Sequence, residues 1–294
     1  MTGYDMWILL TGVLVAAACS LLGSFLVLRR MAMIGDAISH SVLPGIVIAF
    51  LLSGSRDSVA MLFGAAVIGL VTVFLIQLFH QGGVQSDASI GVVFTALFSV
   101  GVILVSLYAS KVDLDLDCVL YGEIAFVGLD TVGWLGLDIP KAVWMVGIVL
   151  VLSAVLLGLF YKQFKLCAFD PAMAAAVGIP VALFHYLLMG LVSVTTVASF
   201  ESVGAILVVG MLIVPAATAY LLTERLGAMI AYSVLIGVAS AVIGYFVAGL
   251  MDASIAGCMV TVAGALFVLA FLFSPSHGVV WKRARQRRGL RAAA

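Results

Sequence analysis

Apolar residues fill this chain in nine long blocks, at roughly 6–28, 33–52, 59–79, 90–109, 142–160, 180–199, 203–222, 228–250 and 255–273. Short polar or basic stretches separate them. A helix that crosses a bilayer needs about 20 mostly apolar residues. The pattern therefore predicts an all-α, polytopic membrane bundle of nine spans. Residues 1–275 read as one transmembrane domain and 276–294 as a basic tail. The junction Ser199-Phe200-Glu201-Ser202 is where an eight-span alternative would place a re-entrant turn. The first block is too long for a signal-peptide core and follows Asp5 rather than basic residues, so it is expected to be a span.

Basic residues orient the spans. With the N-terminus outside and the C-terminus inside, 11 of the 14 Lys and Arg residues lie inside, including Arg29, Arg30, Lys162, Lys165, Arg225 and the six of the tail. Only Arg56, Lys111 and Lys141 are then outside. The outer segment 111–139 carries Asp113, Asp115, Asp117, Glu123, Asp130 and Asp138. It is also rich in Leu and Val and contains Trp134, so part of it is expected to pack into the bundle. The inner segment 161–179 contains a short helix signal. Asp170 is a good N-cap, Pro171 suits the first helical position, the alanines favour helix, and Gly178 is a suitable stop.

Composition sharpens the class. The chain is 65% hydrophobic and 10% charged, against about 45–50% and 25% for soluble domains. A net charge of zero disfavours a nucleic-acid partner. Cys19, Cys118, Cys167 and Cys258 are scattered and imply neither a disulfide framework nor a zinc–cysteine site. No P-loop, HExxH or GxSxG occurs. No span carries a row of Lys or Arg, as a voltage sensor would.

The informative chemistry is Asp36 with His40, four residues apart and so on one helix face. Ionisable groups at membrane depth are expensive, about 2.5–3.5 kcal/mol even on a lenient scale. The pair is either a structural link or half of a metal site. Pro44 removes the partner of the His40 carbonyl. Gly35 and Gly45 permit close backbone approach. Asp oxygen and His nitrogen suit Mn²⁺, Fe²⁺ or Zn²⁺. One helix supplies two ligands, so a two-fold dimer would complete the set. Glu201 reads as an interfacial residue or as a relay carboxylate at the outer mouth. His185 reads as a core histidine, His80 as solvated, and Asp252 as an outer-loop residue. Pro215, with Gly204 and Gly210 before it, is expected to break span seven by freeing the Met211 carbonyl, as a gate or as tolerated structure.

Three motifs in this order carry a resemblance. They are Gly35-Asp36-Ala37-Ile38-Ser39-His40-Ser41-Val42-Leu43-Pro44-Gly45, then Phe169-Asp170-Pro171 with Ala174, Ala175 and Gly178, then Gly204 to Val209 leading to Pro215-Ala216-Ala217-Thr218-Ala219. From about residue 6 to 275 the chain resembles the membrane permease of bacterial manganese/zinc/iron ABC importers. The resemblance implies eight or nine spans working as a dimer, of identical or paralogous copies, in the bacterial cytoplasmic (inner) membrane. It implies docking on a cytoplasmic ABC ATPase through a coupling helix at 169–178, and delivery of the ion by an extracytoplasmic metal-binding protein. It places the intramembrane metal residues at Asp36 and His40, and more weakly at Glu201, a position that varies in the family and is often Gln. The metal is cargo, with no permanently bound cofactor and no ATP hydrolysis by this chain. The acidic outer segment is longer than the family pattern. The alternatives are a siderophore, haem or cobalamin permease and a stand-alone secondary metal transporter.

Overall fold

A computed structural model describes residues 3–53, 58–109, 124–129, 131–134 and 137–274. In chain order its helices are α1 (Gly3–Leu28), α2 (Met33–Ser41), α3 (Leu43–Ser53), α4 (Ser58–Gln81) and α5 (Ser86–Leu104), the last continued by a π turn at Val105–Ala109. A 3-10 turn (Ile124–Leu129) and two strands, β1 (Thr131–Trp134) and β2 (Leu137–Pro140), follow. Then come α6 (Lys141–Leu159), α7 (Tyr161–Phe169), α8 (Pro171–Ala176), α9 (Val181–Val203), α10 (Ala205–Leu222), α11 (Leu226–Met251) and α12 (Ile255–Phe273). Among the described residues, nine stretches are long and apolar enough to cross a membrane, with α2 and α3 together forming the second. The basic tail 276–294 and residues 111–123 of the acidic segment lie outside the described residues.

α1 is the hub. It packs against α6, α9, α10 and α11, and Val15, Ala16, Ala18, Cys19, Leu22 and Phe25 are fully buried. Helices in lipid gain little from hydrophobic burial against each other, so close packing and interhelical hydrogen bonds hold them. Ser233 of α11 donates to the Ser20 carbonyl at 3.0 Å. Ser41 of α2 and Thr72 of α4 share a hydrogen bond of 2.8 Å. The backbones of α3 and α4 touch at Gly45 and Gly64, where a side-chain carbon on either would strike the other's carbonyl oxygen.

Prolines act differently in two spans. Span two divides at Val42, just before Pro44, which has no N–H for the His40 carbonyl. Span seven does not break: α10 runs through Pro215 without interruption. Ser20 of α1 donates to the Met211 carbonyl at 3.4 Å, so the oxygen that Pro215 frees finds a partner on another helix.

The break between spans six and seven falls at Gly204, later than Ser199–Ser202, and leaves Glu201 in the last turn of α9 rather than in a connecting loop. Gly204 has φ 80 and ψ 166, a region essentially closed to residues with a side chain. Gly204→Ala is expected to add about 1–3 kcal/mol of strain and to lower the melting temperature of the purified protein; an unchanged melting curve would show that this turn relaxes freely.

The described part of segment 111–139 does pack into the bundle. Ile124 and Val127 are buried, and the Tyr4 hydroxyl donates to the Ala125 carbonyl. Beyond them β1 and β2 form an antiparallel ribbon, with Thr131 opposite Pro140 and Trp134 opposite Leu137. This ribbon is the one non-helical regular element among the described residues.

Candidate functional site

α2 has two unlike faces. Ile34, Ile38 and Ser41 are buried against the bundle. Met33, Asp36 and His40, at i, i+3 and i+7, stay open. The His40 Nε2 lies 3.7 Å from the Asp36 Oδ1, and the two side chains are 31% and 39% exposed respectively. That gap is too wide for a hydrogen bond. An ion with bonds of about 2.0–2.2 Å could still touch both atoms. Ser39 turns back to the Asp36 carbonyl at 2.7 Å and does not occupy the carboxylate.

Neighbouring elements hold this pair in place. The His40 ring rests on Phe94 and Phe98 of α5, each 6.1 Å away between centroids. Gly35 faces α10, where the Leu212 side chain fills the space a β-carbon would take. Gly101 of α5 abuts Pro44, with only 2.8 Å left for a β-carbon. On the same helix Thr95 and Ser99 are exposed, each hydroxyl donating to the carbonyl four residues back at 2.7 Å. Gly91, Thr95 and Ser99 thus form a small, hydroxyl-bearing stripe, the type of surface that seats another helix within a membrane.

Among the described residues no group of three or more His, Cys, Asp or Glu is arranged to hold a metal ion. Glu201 lies on α9, a different helix from the pair. His185 is buried on the same helix at 8% exposure. His80 is exposed, with its Nδ1 3.2 Å from the Val84 carbonyl. Among the described residues, Asp36 and His40 are therefore a pair on a partly open face with no third such group beside them.

The second site lies on segment 161–179, where two helices form rather than one. Sequence reasoning missed α7, whose pattern is too short and mixed to stand out. The Asp170 carboxylate caps α8, accepting from the Met173 N–H at 2.9 Å, with Pro171 at the first helical position. Gly178, at φ +86, ends it. The Gly178 N–H reaches the Ala175 carbonyl and the Ile179 N–H the Ala174 carbonyl, both at 3.0 Å, which closes a Schellman motif. Ala174 is fully buried, whereas Phe169, Met173 and Val177 are 56%, 55% and 66% exposed. These exposed apolar side chains follow one another from the end of α7 to the end of α8, helices that are not spans; the ridge they make is one of sequence rather than of a single helix face, because Asp170 breaks the helix between them. Met173 and Val177 also escaped the sequence reading.

Known proteins resemble the chain over nearly its whole length. The profile of the ABC 3 transport family matches residues 3–274. The manganese transport system membrane protein MntD of Bacillus subtilis (strain 168) is 58% identical over 283 residues, 96% of each chain. The zinc transport system membrane protein TroD of Treponema pallidum (strain Nichols) is 45% identical, over 94% of this chain and 75% of its own. The structure is similar to that of PsaBC from Streptococcus pneumoniae in complex with Fab, with a TM-score of 0.78, 32% identity and 94% of each chain covered.

Proposed function

Because the chain belongs to the ABC 3 transport family, we propose that it is the multi-pass permease of an ATP-driven importer for a divalent transition metal: manganese, zinc or iron. The observation that carries this reading is the open Asp36/His40 pair. A bare dication cannot enter hydrocarbon and needs anionic and imidazole ligands along a protein path. Such ions take four to six ligands. A second copy, identical or paralogous, seated on the stripe of Gly91, Thr95 and Ser99 would bring a second Asp and His to the first pair. Glu201, near the Gly204 turn, is the candidate relay carboxylate on the outer side.

The power comes from separate cytoplasmic ABC ATPase subunits that dock on the α7–α8 hairpin through Phe169, Met173 and Val177. Asp170, Pro171, Ala174, Ala175 and Gly178 build α8. An extracytoplasmic metal-binding protein hands the ion to the outer face. This arrangement sets the N-terminus outside and the C-terminus inside a bacterial cytoplasmic (inner) membrane, with 1–275 as one permease domain and a basic tail beyond it. Alternating tilts of the spans, with Gly35, Pro44, Gly45, Gly204 and Pro215 as packing and hinge positions, would expose the pair to each side in turn.

The test is uptake by the complex of permease, ATPase and binding protein reconstituted in vesicles. ATP-dependent Mn²⁺ accumulation that free Zn²⁺ or Fe²⁺ competes with is the expected result. Accumulation of a ferric chelate or corrinoid in place of the free ion would overturn the reading.

A further inference from the structure

Aromatic rings bolt the cytoplasmic hairpin into the bundle at one point. α7 buries only Phe164 and Cys167, at i and i+3. The Phe164 ring meets Phe25 of α1 edge-on at 5.9 Å and Phe184 of α9 at 5.2 Å. Phe184 in turn meets Phe160, between α6 and α7, at 5.7 Å. Phe25 is fully buried, and Phe164 is 2% exposed. Edge-to-face clusters of this kind fix relative position more strongly than aliphatic packing does.

One turn beyond Phe25, α1 ends in an elbow that leads into α2. The Arg30 N–H reaches the Val27 carbonyl at 3.1 Å and the Met31 N–H the Leu26 carbonyl at 2.9 Å. That is a Schellman cap with Arg30 at φ 57, where glycine is the usual residue. A non-glycine in this region is strained and persists only where the surrounding packing holds it. Burial lowers the pKa of Arg29 beside Arg30. Only Met31 and Ala32 separate the elbow from α2, which carries Asp36 and His40.

We propose that Phe164 is a positioning residue that makes α7, α8 and α1 move as one body, so that displacement of the hairpin reaches the Asp36/His40 helix through the Arg29–Arg30 elbow. This rests on the permease reading above. Phe164 is buried at 2% exposure, away from the Asp36/His40 helix and from the exposed side chains of Phe169, Met173 and Val177. Its loss should leave ATPase docking intact and break only the transmission.

The measurement is the number of Mn²⁺ ions transported per ATP hydrolysed by the reconstituted complex. Phe164→Ala is expected to keep hydrolysis within about twofold while the ratio falls about tenfold, inside the ordinary range of coupling between distant sites. Phe164→Leu, which retains most of the volume but loses the ring, should lower the ratio by a smaller factor of about three. Should Phe164→Ala fail to assemble, Phe184→Leu, which keeps the bulk and loses the ring, is expected to lower the ratio by a factor of about three. A wild-type ratio in the variants that assemble, or hydrolysis and uptake falling in proportion, would overturn the proposal. Failure of the wild-type complex to move metal would instead sink the permease reading, so the two failures are distinct.

Discussion

Asp36→Ala and His40→Ala should each reduce ATP-driven Mn²⁺ uptake by at least ~100-fold. Residues that merely orient metal ligands already account for 10–100-fold in affinity, and these two are the proposed ligands themselves. In an assembly of identical copies each substitution also acts twice. The folded state should survive. Both side chains sit on the open face of α2, and they stand 3.7 Å apart, with no hydrogen bond between them to lose. Asp36→Asn is the sharper variant, since it preserves shape and removes the charge that offsets the dication's lost hydration. Uptake by the reconstituted complex, alongside yield and oligomeric state of each variant, checks this. Normal uptake by either alanine variant would remove the pair from the path.

The second large effect is expected on α8. Met173→Asp places a charge in the middle of the apolar ridge while leaving the cap, the Pro171 start and the Gly178 stop unchanged. Centres of such ridges often contribute 2 kcal/mol or more to an interface, so ATPase affinity should drop at least ~10-fold. Ala175→Pro acts through the backbone instead. A proline inside this six-residue helix removes a hydrogen bond, clashes with the preceding turn and costs about 3 kcal/mol. Uptake should fall to background and hydrolysis should continue uncoupled in whatever complex still forms. Co-purification of the ATPase reads the first variant, and the ratio of hydrolysis to uptake reads the second. Full transport by both would move the docking surface elsewhere.

Much of this protein was legible before any coordinates. Nine apolar blocks became nine candidate spans because hydropathy over about 20 residues is a local property, independent of which helix lies beside which. The capped helix at 170–178 was legible for the same reason: Asp170, Pro171 and Gly178 act within one or two turns of chain. So did Pro44, whose missing N–H interrupts its own helix whatever surrounds it. The pairing of Asp36 with His40 on one face follows from helical periodicity alone.

The outcome at Pro215 was different. Sequence predicts a freed Met211 carbonyl and a broken span, but Ser20, 191 positions away in the chain, supplies the partner and α10 continues. Gly204 could be recognised as a glycine, yet only its backbone angles show that the turn needs one. The exposure of Phe169, Met173 and Val177, beside the buried Ala174, is visible only in the fold. Likewise, which face of α2 stays open depends on where α4, α5 and α9 lie. Sequence alone therefore determined the spans, their caps and the shared face of Asp36 and His40, since these arise from contacts within a few residues. Tertiary structure decided which carbonyls were satisfied, which faces were buried and which were left for a partner, because those depend on helices far apart in the chain meeting in space.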